Sequence, residues 1–200
     1  MVETQIVRFH AMKQARIPKE AELKRLLAII AQRKHAERNR IAIMLSYYGG
    51  LRVGEIASLR ASDIIGTNGD VKDQIVLRAE TTKANESRTI YVNDRLMKEL
   101  IRYVSTFEKP PLPNAPFLKT QKNTAFSPNS LCQLLGNFYE AAGIDGGSSH
   151  SGRRWFISKL AHSGISPKVI MTLAGHKNLA TTQRYIEVSP EMMRAAVGIL

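Results

Sequence analysis

Five side chains that carry or can gain a positive charge, together with one phenol, suggest a site for chemistry on a phosphodiester. Four of the six lie close together between positions 149 and 185, and the other two come from the earlier segments GGLRVGE and TTKANESR. The six residues are Arg52, Lys83, His150, Arg153, His176 and Tyr185. Guanidinium and ammonium groups are strong hydrogen-bond donors to phosphate oxygens, so this set predicts a phosphate-binding site.

The two arginines are candidates for a clamp on one phosphate. Arg153 follows His150 by three positions, so on a helix the two side chains share a face. Arg52 is distant in sequence, at the start of a predicted helix that follows two glycines. Negative charge builds on the non-bridging oxygens when phosphorus becomes five-coordinate, and fixed donors stabilise that charge. Losing one such donor typically slows a reaction by roughly 100- to 1000-fold.

Tyr185 is the candidate nucleophile, and its product would be a phosphotyrosine ester. A free phenol has a pKa near ~10, so it needs neighbouring cations or a base at pH 7. Lys83 lies at the tip of a predicted hairpin, where its ammonium could protonate the leaving 5′ oxygen. The histidines could add hydrogen bonds or move protons. No cofactor and no metal ion are expected, because the arginines supply the positive charge and clustered carboxylates are missing near these motifs.

The elements that must position these residues are mostly helical, so the predicted fold class is mainly α with a small antiparallel β-sheet (α+β). Apolar periodicity and capping signals predict helices from Pro18, over 41–48, 53–59, 93–107, 128–142, 149–163, 167–173 and 190–199. The segments QIVLRA and RTIYV, separated by a polar loop, predict a β-hairpin, to which Ile64-Ile65 could add a third short strand. Residues 35–40 are predicted to be a polar connection.

Composition favours a polyanionic partner. There are 29 Lys and Arg residues against 17 Asp and Glu, which gives a formal charge of +12. The simpler alternative is a solvated basic surface that binds no partner.

The single cysteine, Cys132, forms no internal disulfide, which is typical of a reducing compartment. No apolar run approaches the ~20 residues of a membrane span. Residues 1–17 are predicted to be a basic arm or linker, and 18–200 one catalytic domain.

The motifs, taken in order, resemble those of the tyrosine recombinase (phage integrase) family. GLRVGEIASL resembles its first arginine box, HSGRRWF its second, LAGHKN its second histidine and TTQRYI its nucleophile box. The resemblance covers about residues 18 to 190. It implies that Tyr185 is the nucleophile, Arg52 and Arg153 the phosphate clamp, Lys83 the general acid, and His150 and His176 supporting hydrogen-bond or proton-transfer groups.

The resemblance also implies a function, namely site-specific DNA recombination through a covalent 3′-phosphotyrosyl intermediate with release of a 5′-hydroxyl. The implied partners are double-stranded DNA, three further copies of the chain in a homo-tetramer, and accessory DNA-bending factors. The implied location is the cytoplasm of a bacterium, in association with the nucleoid, with a phage as a further source of the chain. Most family members carry a separate N-terminal core-binding domain. The sequence here is expected to be either a minimal recombinase of the fimbrial-switch type or a catalytic fragment.

Two positions depart from the family pattern, and several residues have simpler interpretations. Gly152 and Arg154 stand where leucine and histidine are more common, which leaves the packing of that helix open. Arg52 could be an ion-pair partner of Glu55. Lys72 competes with Lys83 for the role of the acid, and Arg154 competes with Arg153 for the inward position. Tyr185 could simply pack.

Three other functions compete with recombination. A non-cleaving DNA-binding regulator with the same fold would not need a placed tyrosine. A metal-dependent nuclease would need more carboxylates near the motifs. A relative of type IB topoisomerases would share the chemistry without pairing two DNA duplexes.

Overall fold

The computed structural model describes residues 15–82, 86–186 and 190–199, and this part of the chain is mainly helical with one two-stranded antiparallel sheet. The helices are α1 (Glu20–Ala31), α2 (Ala36–Gly49), α3 (Val53–Ser58), α4 (Ala61–Ile64), α5 (Asp94–Val104), α6 (Pro128–Ala141), α7 (Ser151–His162), α8 (Pro167–Ala174), α9 (Leu179–Gln183) and α10 (Pro190–Val197). The strands are β1 (Gln74–Leu77) and β2 (Arg88–Tyr91), with a 3₁₀ turn, Ala79–Thr81, between them. The predicted fold class is confirmed. None of the helices in the described residues is long and apolar enough to cross a membrane.

Two hydrophobic cores support the site. The larger one surrounds α2, whose residues from Ile41 to Tyr47 are all buried, and it includes side chains from α1, α5 and α6. The smaller core lies between α7 and α8 and is formed by Ile157, Ala161, Ile170 and Ala174. The side chains of Tyr185 and Ile186 pack against this second core. The C-terminal part of the candidate site therefore rests on α7 and α8.

Several helices begin at the predicted capping residues. The side chain of Asn93 accepts a 3.0 Å hydrogen bond from the backbone N–H three residues on. Ser127 does the same at 3.1 Å, with Pro128 in the first turn of α6. Ser166 precedes α8 in the same way, but its side chain makes no capping hydrogen bond. Ser189, which precedes Pro190 in the sequence as Ser127 precedes Pro128, lies outside the described residues.

The β-hairpin forms as predicted, with Gln74 opposite Tyr91 and Leu77 opposite Arg88. Lys83 belongs to its connection and lies outside the described residues. The expectation of a third strand at Ile64-Ile65 was wrong. Ile64 ends α4, and Ile65 makes only an isolated bridge with Val71.

The interpretation of residues 35–40 as a polar connection was also wrong, because α2 begins at Ala36. Arg38 and Asn39 are polar but buried, and both have hydrogen-bond partners; Asn39 donates to the carbonyl of Lys34 at 3.0 Å. The guanidinium of Arg38 donates to the Oδ1 of Asn39 at 2.7 and 3.0 Å, and to the carbonyl of Lys119 at 2.9 Å. These hydrogen bonds offset the free-energy cost of removing the polar side chains from water.

Candidate active site

Three arginines converge on the C-terminal end of α8. The backbone carbonyls of residues 173–175 each accept a hydrogen bond from a different guanidinium, donated in order by Arg88 at 2.6 Å, by Arg153, and by Arg52 at 2.9 Å. The last carbonyls of a helix have no partner within the helix and carry partial negative charge. The end of α8 therefore holds cations from β2, α7 and the segment before α3 at one place.

Arg52 reaches this place from the turn between α2 and α3. It is the residue that precedes α3, and its backbone N–H donates to the Oε2 of Glu55 at 2.7 Å. Its guanidinium donates to the Oε1 of the same carboxylate at 2.8 Å, and 23% of its side chain is exposed. The ion pair weighed as the simple explanation of Arg52 thus exists, and the guanidinium still faces the cluster at the end of α8.

Arg153, and not Arg154, is the arginine of α7 that points inward. Its side chain is almost fully buried, and one of its donors contacts the carbonyl of Gly50 at 2.6 Å. Burial, followed by the charges of Arg52 and Arg88, lowers the pKa of Arg153 to about 9, and Glu55 offsets these effects only in part. This guanidinium is a cation held in surroundings that disfavour its charge, as expected where an anion is to be bound.

Arg88 is a member of the cluster that the sequence-based prediction missed. Its Nη2 lies 2.6 Å from the Oε2 of Glu55, so this buried carboxylate bridges Arg88 and Arg52. Burial acts to raise the pKa of Glu55, but the charge of Arg88 and the backbone N–H of Arg52 outweigh it and hold the pKa below its usual value. A signal was available, because Arg88 stands two positions before the buried Ile90 on β2 and so shares its inward face.

His176 follows the end of α8 and faces the candidate nucleophile. Its Nδ1 lies 2.9 Å from the hydroxyl of the buried Thr182. Its ring stacks on that of Tyr185, with 6.2 Å between the centroids and 22° between the planes. Burial, followed by the charges of Arg153 and the other two arginines, lowers the pKa of His176 to about 4. The imidazole is therefore neutral at pH 7.

Tyr185 lies in the turn after α9, partly buried beside the cluster. The guanidinium carbon of Arg154 is 5.3 Å from the centroid of the Tyr185 ring. Arg154 therefore contacts the phenol and is not one of the two arginines of the clamp. The phenol is also near enough to Arg153 to act on the pKa of that arginine. The structure thus brings Tyr185 beside His176 and near Arg153, whose guanidinium shares the end of α8 with Arg52. The helix α9 itself was not predicted.

His150 and the two candidate lysines complete the predicted set. His150 immediately precedes α7, one turn before Arg153, and its side chain is exposed. Lys83 is outside the described residues, so its position relative to the cluster stays a prediction. Lys72, the alternative lysine, donates to the carbonyl of Ser62 at 2.6 Å.

An open cavity of about 230 Å³ lies beside the cluster. Its lining includes Arg52, Arg88, His176 and Lys177. Glu86 lines it as well, but Arg52, Arg88 and Lys177 leave an excess of positive charge, which suits a phosphate group. Over the ranges that the structure describes, no three His, Cys, Asp or Glu side chains lie where they could hold a metal ion together.

Residues 17–192 match the model of the Phage integrase family. The chain belongs to this family. It is 26% identical over 197 residues to the tyrosine recombinase XerA of Pyrococcus horikoshii and 30% identical over 182 residues to XerA of Pyrococcus furiosus. These matches cover 93% and 89% of this chain, and the chain spans only 64% and 59% of those two relatives.

A solved structure supports the fold assignment. The Tn1549 transposon integrase, in complex with a circular intermediate DNA, superposes with a TM-score of 0.74 at 20% identity. That match covers 95% of this chain and 67% of the integrase chain. At this level of identity the likeness concerns the fold, which is that of an integrase.

Proposed function

We propose that this chain breaks and rejoins double-stranded DNA as a site-specific recombinase, through a covalent 3′-phosphotyrosyl intermediate. One observation carries the proposal: Arg52 and Arg153 meet at the end of α8, beside the stacked rings of His176 and Tyr185. A protein that only binds DNA has no use for a tyrosine placed next to a cluster of buried arginines. Membership of the phage integrase family and relatives named as tyrosine recombinases add support.

The arginines act on the phosphate that is to be cleaved. Arg52 and Arg153 donate to its non-bridging oxygens, where negative charge increases as phosphorus becomes five-coordinate. Both guanidiniums are held by backbone carbonyls, so they need little rearrangement during the reaction. Donors fixed in this way are the largest single source of stabilisation in many enzymes.

Tyr185 supplies the oxygen that attacks phosphorus, and Lys83 protonates the oxygen that leaves. The phenolic oxygen of Tyr185 bonds to phosphorus and passes its proton to the neutral imidazole of His176, and the bond from phosphorus to the 5′ oxygen breaks. Lys83 gives a proton to that oxygen, which leaves as a 5′-hydroxyl. In the second half, a 5′-hydroxyl of another strand attacks the phosphotyrosine and passes its proton to Lys83, while the leaving phenolate takes a proton back from His176. The number of phosphodiester bonds is conserved, so no external energy source is needed.

The histidines assist these steps from two sides. His176 is neutral at pH 7, and its Nδ1 faces Thr182, so Nε2 is the nitrogen placed to meet the substrate or the phenol. His150 shares the first turn of α7 with Arg153 and supplies a further hydrogen bond to the phosphate. A neutral imidazole can accept or donate a proton, which suits both directions of the reaction.

The wider assignments belong to the same proposal. The reaction proceeds without a metal ion or cofactor, because the guanidiniums supply the positive charge. The active assembly is a homo-tetramer on two DNA duplexes, assisted by accessory DNA-bending factors, in the cytoplasm and at the nucleoid. Residues 1–17 form a basic arm or linker, and residues 18–200 form the catalytic domain.

A covalent-capture experiment tests the proposal. A pool of nicked duplexes with randomised sequence around the nick is incubated with the chain in EDTA, and a protein–DNA band is sought on a denaturing gel. The nick lets the short 5′-hydroxyl strand diffuse away, so the covalent species accumulates. We expect a band for the wild-type chain.

Two tyrosine variants assign the nucleophile. Tyr185→Phe should abolish the band and leave DNA binding intact, whereas Tyr91→Phe, at an exposed position on β2, should leave both unchanged. A band that persists in Tyr185→Phe would remove this residue from the role. DNA binding without any band in the wild-type chain would favour the non-cleaving regulator.

A further inference from the structure

Arg88 has no part in the proposed chemistry, yet it is the most completely enclosed partner of the carboxylate that holds Arg52. Its side chain is only 9% exposed. One terminal nitrogen donates to the carbonyl of Leu173, and the other donates to the Oε2 of Glu55, each at 2.6 Å. Its Nε is buried and has no hydrogen-bond partner among the described residues. Both terminal nitrogens of Arg88 are therefore bound to acceptors of the protein, although its side chain also lines the cavity beside the cluster.

The charges of the cluster explain why a second arginine on Glu55 matters. Arg52, Arg88 and Arg153 contribute three positive charges and Glu55 one negative charge, so the group carries a net charge of +2. Without Arg88, the carboxylate would be matched by Arg52 alone. An arginine that is neutralised by a bidentate carboxylate partner attracts a phosphate less strongly. Arg88 thus leaves the charge of Arg52 available.

The local backbone is shaped to admit Arg88. Gly175 adopts a left-handed conformation with φ of +61°, and a Cβ at this position would lie 2.6 Å from the Cδ of Arg88. The same glycine supplies the carbonyl that binds Arg52 at 2.9 Å. The path of Arg88 and the anchor of Arg52 therefore depend on one residue, which fixes the two guanidiniums relative to each other.

We propose that Arg88 is a positioning residue, which binds Glu55 so that Arg52 keeps both its charge and its direction for the scissile phosphate. The expected effect of Arg88 on catalysis rests on the proposed function. Its expected effect on anion binding rests only on the contacts described above. The two consequences are measured separately.

The first measurement is the rate of covalent complex formation on the nicked duplexes. Arg88→Met keeps most of the side-chain volume without its charge, and we expect it to slow the rate by about tenfold, as is typical when a supporting partner of an active group is removed. Arg88→Lys restores the charge but not the planar pair of guanidinium donors, so its rate should lie between those of the wild type and Arg88→Met. Equal rates for wild type and Arg88→Met would overturn the proposal.

A double-mutant cycle separates positioning from direct contact. If Arg88 acts through Arg52, then adding Arg88→Met to Arg52→Ala should change the rate by less than about twofold. A further tenfold loss in the Arg52→Ala background would mean that Arg88 acts on the substrate itself, and the positioning role would be rejected.

Arg40 offers a matched control for the loss of a partly buried ion pair. It donates to both carboxylate oxygens of Glu99, at 2.5 and 2.6 Å, and it lies outside the cluster. Arg40→Met removes a bidentate pair that is more exposed than the pair of Arg88, so it should lower thermal stability by a similar or smaller amount than Arg88→Met. Its covalent-complex rate should stay at the wild-type level. A similar slowing in both variants would reduce Arg88 to a general contribution to stability and overturn the proposal.

The second measurement needs no DNA. Inorganic phosphate is titrated into the full chain while the side-chain Nε–Hε signal of Arg52 is followed by NMR. We expect phosphate to shift this signal in the wild type and to bind about tenfold more weakly in Arg88→Met. If phosphate leaves the Arg52 signal unchanged in the wild type, or binds both proteins equally, the inference fails whatever the DNA experiments give. If phosphate behaves as expected but no covalent band forms, the recombinase proposal fails and the role of Arg88 in anion binding is retained.

Discussion

Arg153 shows at the scale of one residue what the candidate site is built to do. It is buried, it lies beside two other arginines, and its carbonyl partners carry no full charge. Burial and the two neighbouring arginines disfavour its positive charge, and the attraction of Glu55 and Tyr185 offsets them only in part. A phosphate placed between Arg52 and Arg153 would relieve the repulsion. The structure therefore keeps an unfavourable arrangement where an anion is expected to bind.

His176 yields a prediction for stability in acid. An unfolded histidine titrates near 6.5, whereas burial and the arginines lower the pKa of His176 to about 4 in the fold. Between these pH values the unfolded chain takes up a proton that the folded chain does not, so stability falls as pH drops from 6.5 to 4. His176→Asn can keep the contact with Thr182 but cannot titrate.

The free energy of unfolding, measured with urea at pH 7 and at pH 4.5, should therefore decrease less in His176→Asn than in the wild type. Carboxylates contribute to the acid loss in both proteins, so the difference between the two losses belongs to His176. Equal losses in both proteins would contradict the lowered pKa.

The sequence predicted some residues of the site better than others, for physical reasons. Arg52 and Arg153 belong to motifs with a recognisable order, so their convergence could be expected. Whether Arg52 paired with Glu55 or faced a ligand was left open, and the structure shows that one guanidinium faces both. Arg88 was missed because a charged residue on a short strand is normally taken as exposed. Its burial depends on Glu55 and Leu173, which are distant in sequence.

At the scale of the element, the end of α8 is the feature that assembles the site, and Gly175 is the residue to test. Gly175→Ala places a Cβ 2.6 Å from Arg88, at a φ of +61°. Gly164→Ala is the matched control, because its φ is +74° and no atom lies within 4 Å of the added carbon. Each variant should lose about 1 kcal/mol of stability for its left-handed backbone. Gly175→Ala should lose more than Gly164→Ala, because its Cβ also disturbs the hydrogen-bonded side chain of Arg88.

Only Gly175→Ala should also slow covalent complex formation, by about tenfold, because it displaces the arginines. Stability is measured by chemical denaturation and the rate on the nicked duplexes. A comparable slowing in Gly164→Ala would show that the effect comes from lost stability and not from the arrangement of the arginines.

The packing of α7 against α2 answers the question raised by Gly152. A Cβ at Gly152 would lie 2.6 Å from the ring of Tyr47 and 2.7 Å from the hydroxyl of Ser46, both buried on α2. The glycine therefore lets α7 approach closely enough for Arg153 to reach Gly50. Gly152→Ala should lose about 1–3 kcal/mol of stability through overpacking.

Gly136 on α6 is the control, since no atom lies within 4 Å of its added Cβ. Gly136→Ala should gain about 0.5–1 kcal/mol from helix propensity. Urea denaturation measures both changes. A gain in stability for Gly152→Ala would show that the two helices can separate without cost.

Helix beginnings were predictable where a side chain marks them, as at Asn93 and Ser127. The short helix α9 was missed because its five residues are too few to show apolar periodicity, although Asn178 caps it with a 2.8 Å hydrogen bond. The start of α2 was missed because Arg38 and Asn39 are polar, and a hydropathy pattern does not show that the hydrogen bonds from Arg38 to Asn39 allow both to be buried. Local sequence signals thus located most of the helices and strands. The sequence did not predict features that depend on contacts between distant segments.

At the scale of the whole molecule, the formal charge of +12 attracts a polyanionic partner at longer range than any single contact. Part of this charge is paired on the surface and part lines the candidate site. Arg102 donates to Glu37 at 2.6 Å, on the surface and away from the site, whereas Lys177 is exposed and lines the cavity beside Arg52 and His176. If DNA lies across the cavity, Lys177 contacts a phosphate and Arg102 does not.

Salt dependence distinguishes these two cations. Each phosphate contact releases a counterion from DNA, so the logarithm of affinity falls linearly with the logarithm of salt concentration. Binding to a duplex in the Tyr185→Phe background should weaken steeply between 50 and 200 mM salt, by roughly 1000-fold or more if about six phosphates are contacted. Lys177→Ala should reduce the slope by about 1, while Arg102→Ala should leave it unchanged. A flat response in the parent protein would exclude DNA as the partner, and equal slopes in Lys177→Ala and Arg102→Ala would place the duplex elsewhere on the surface.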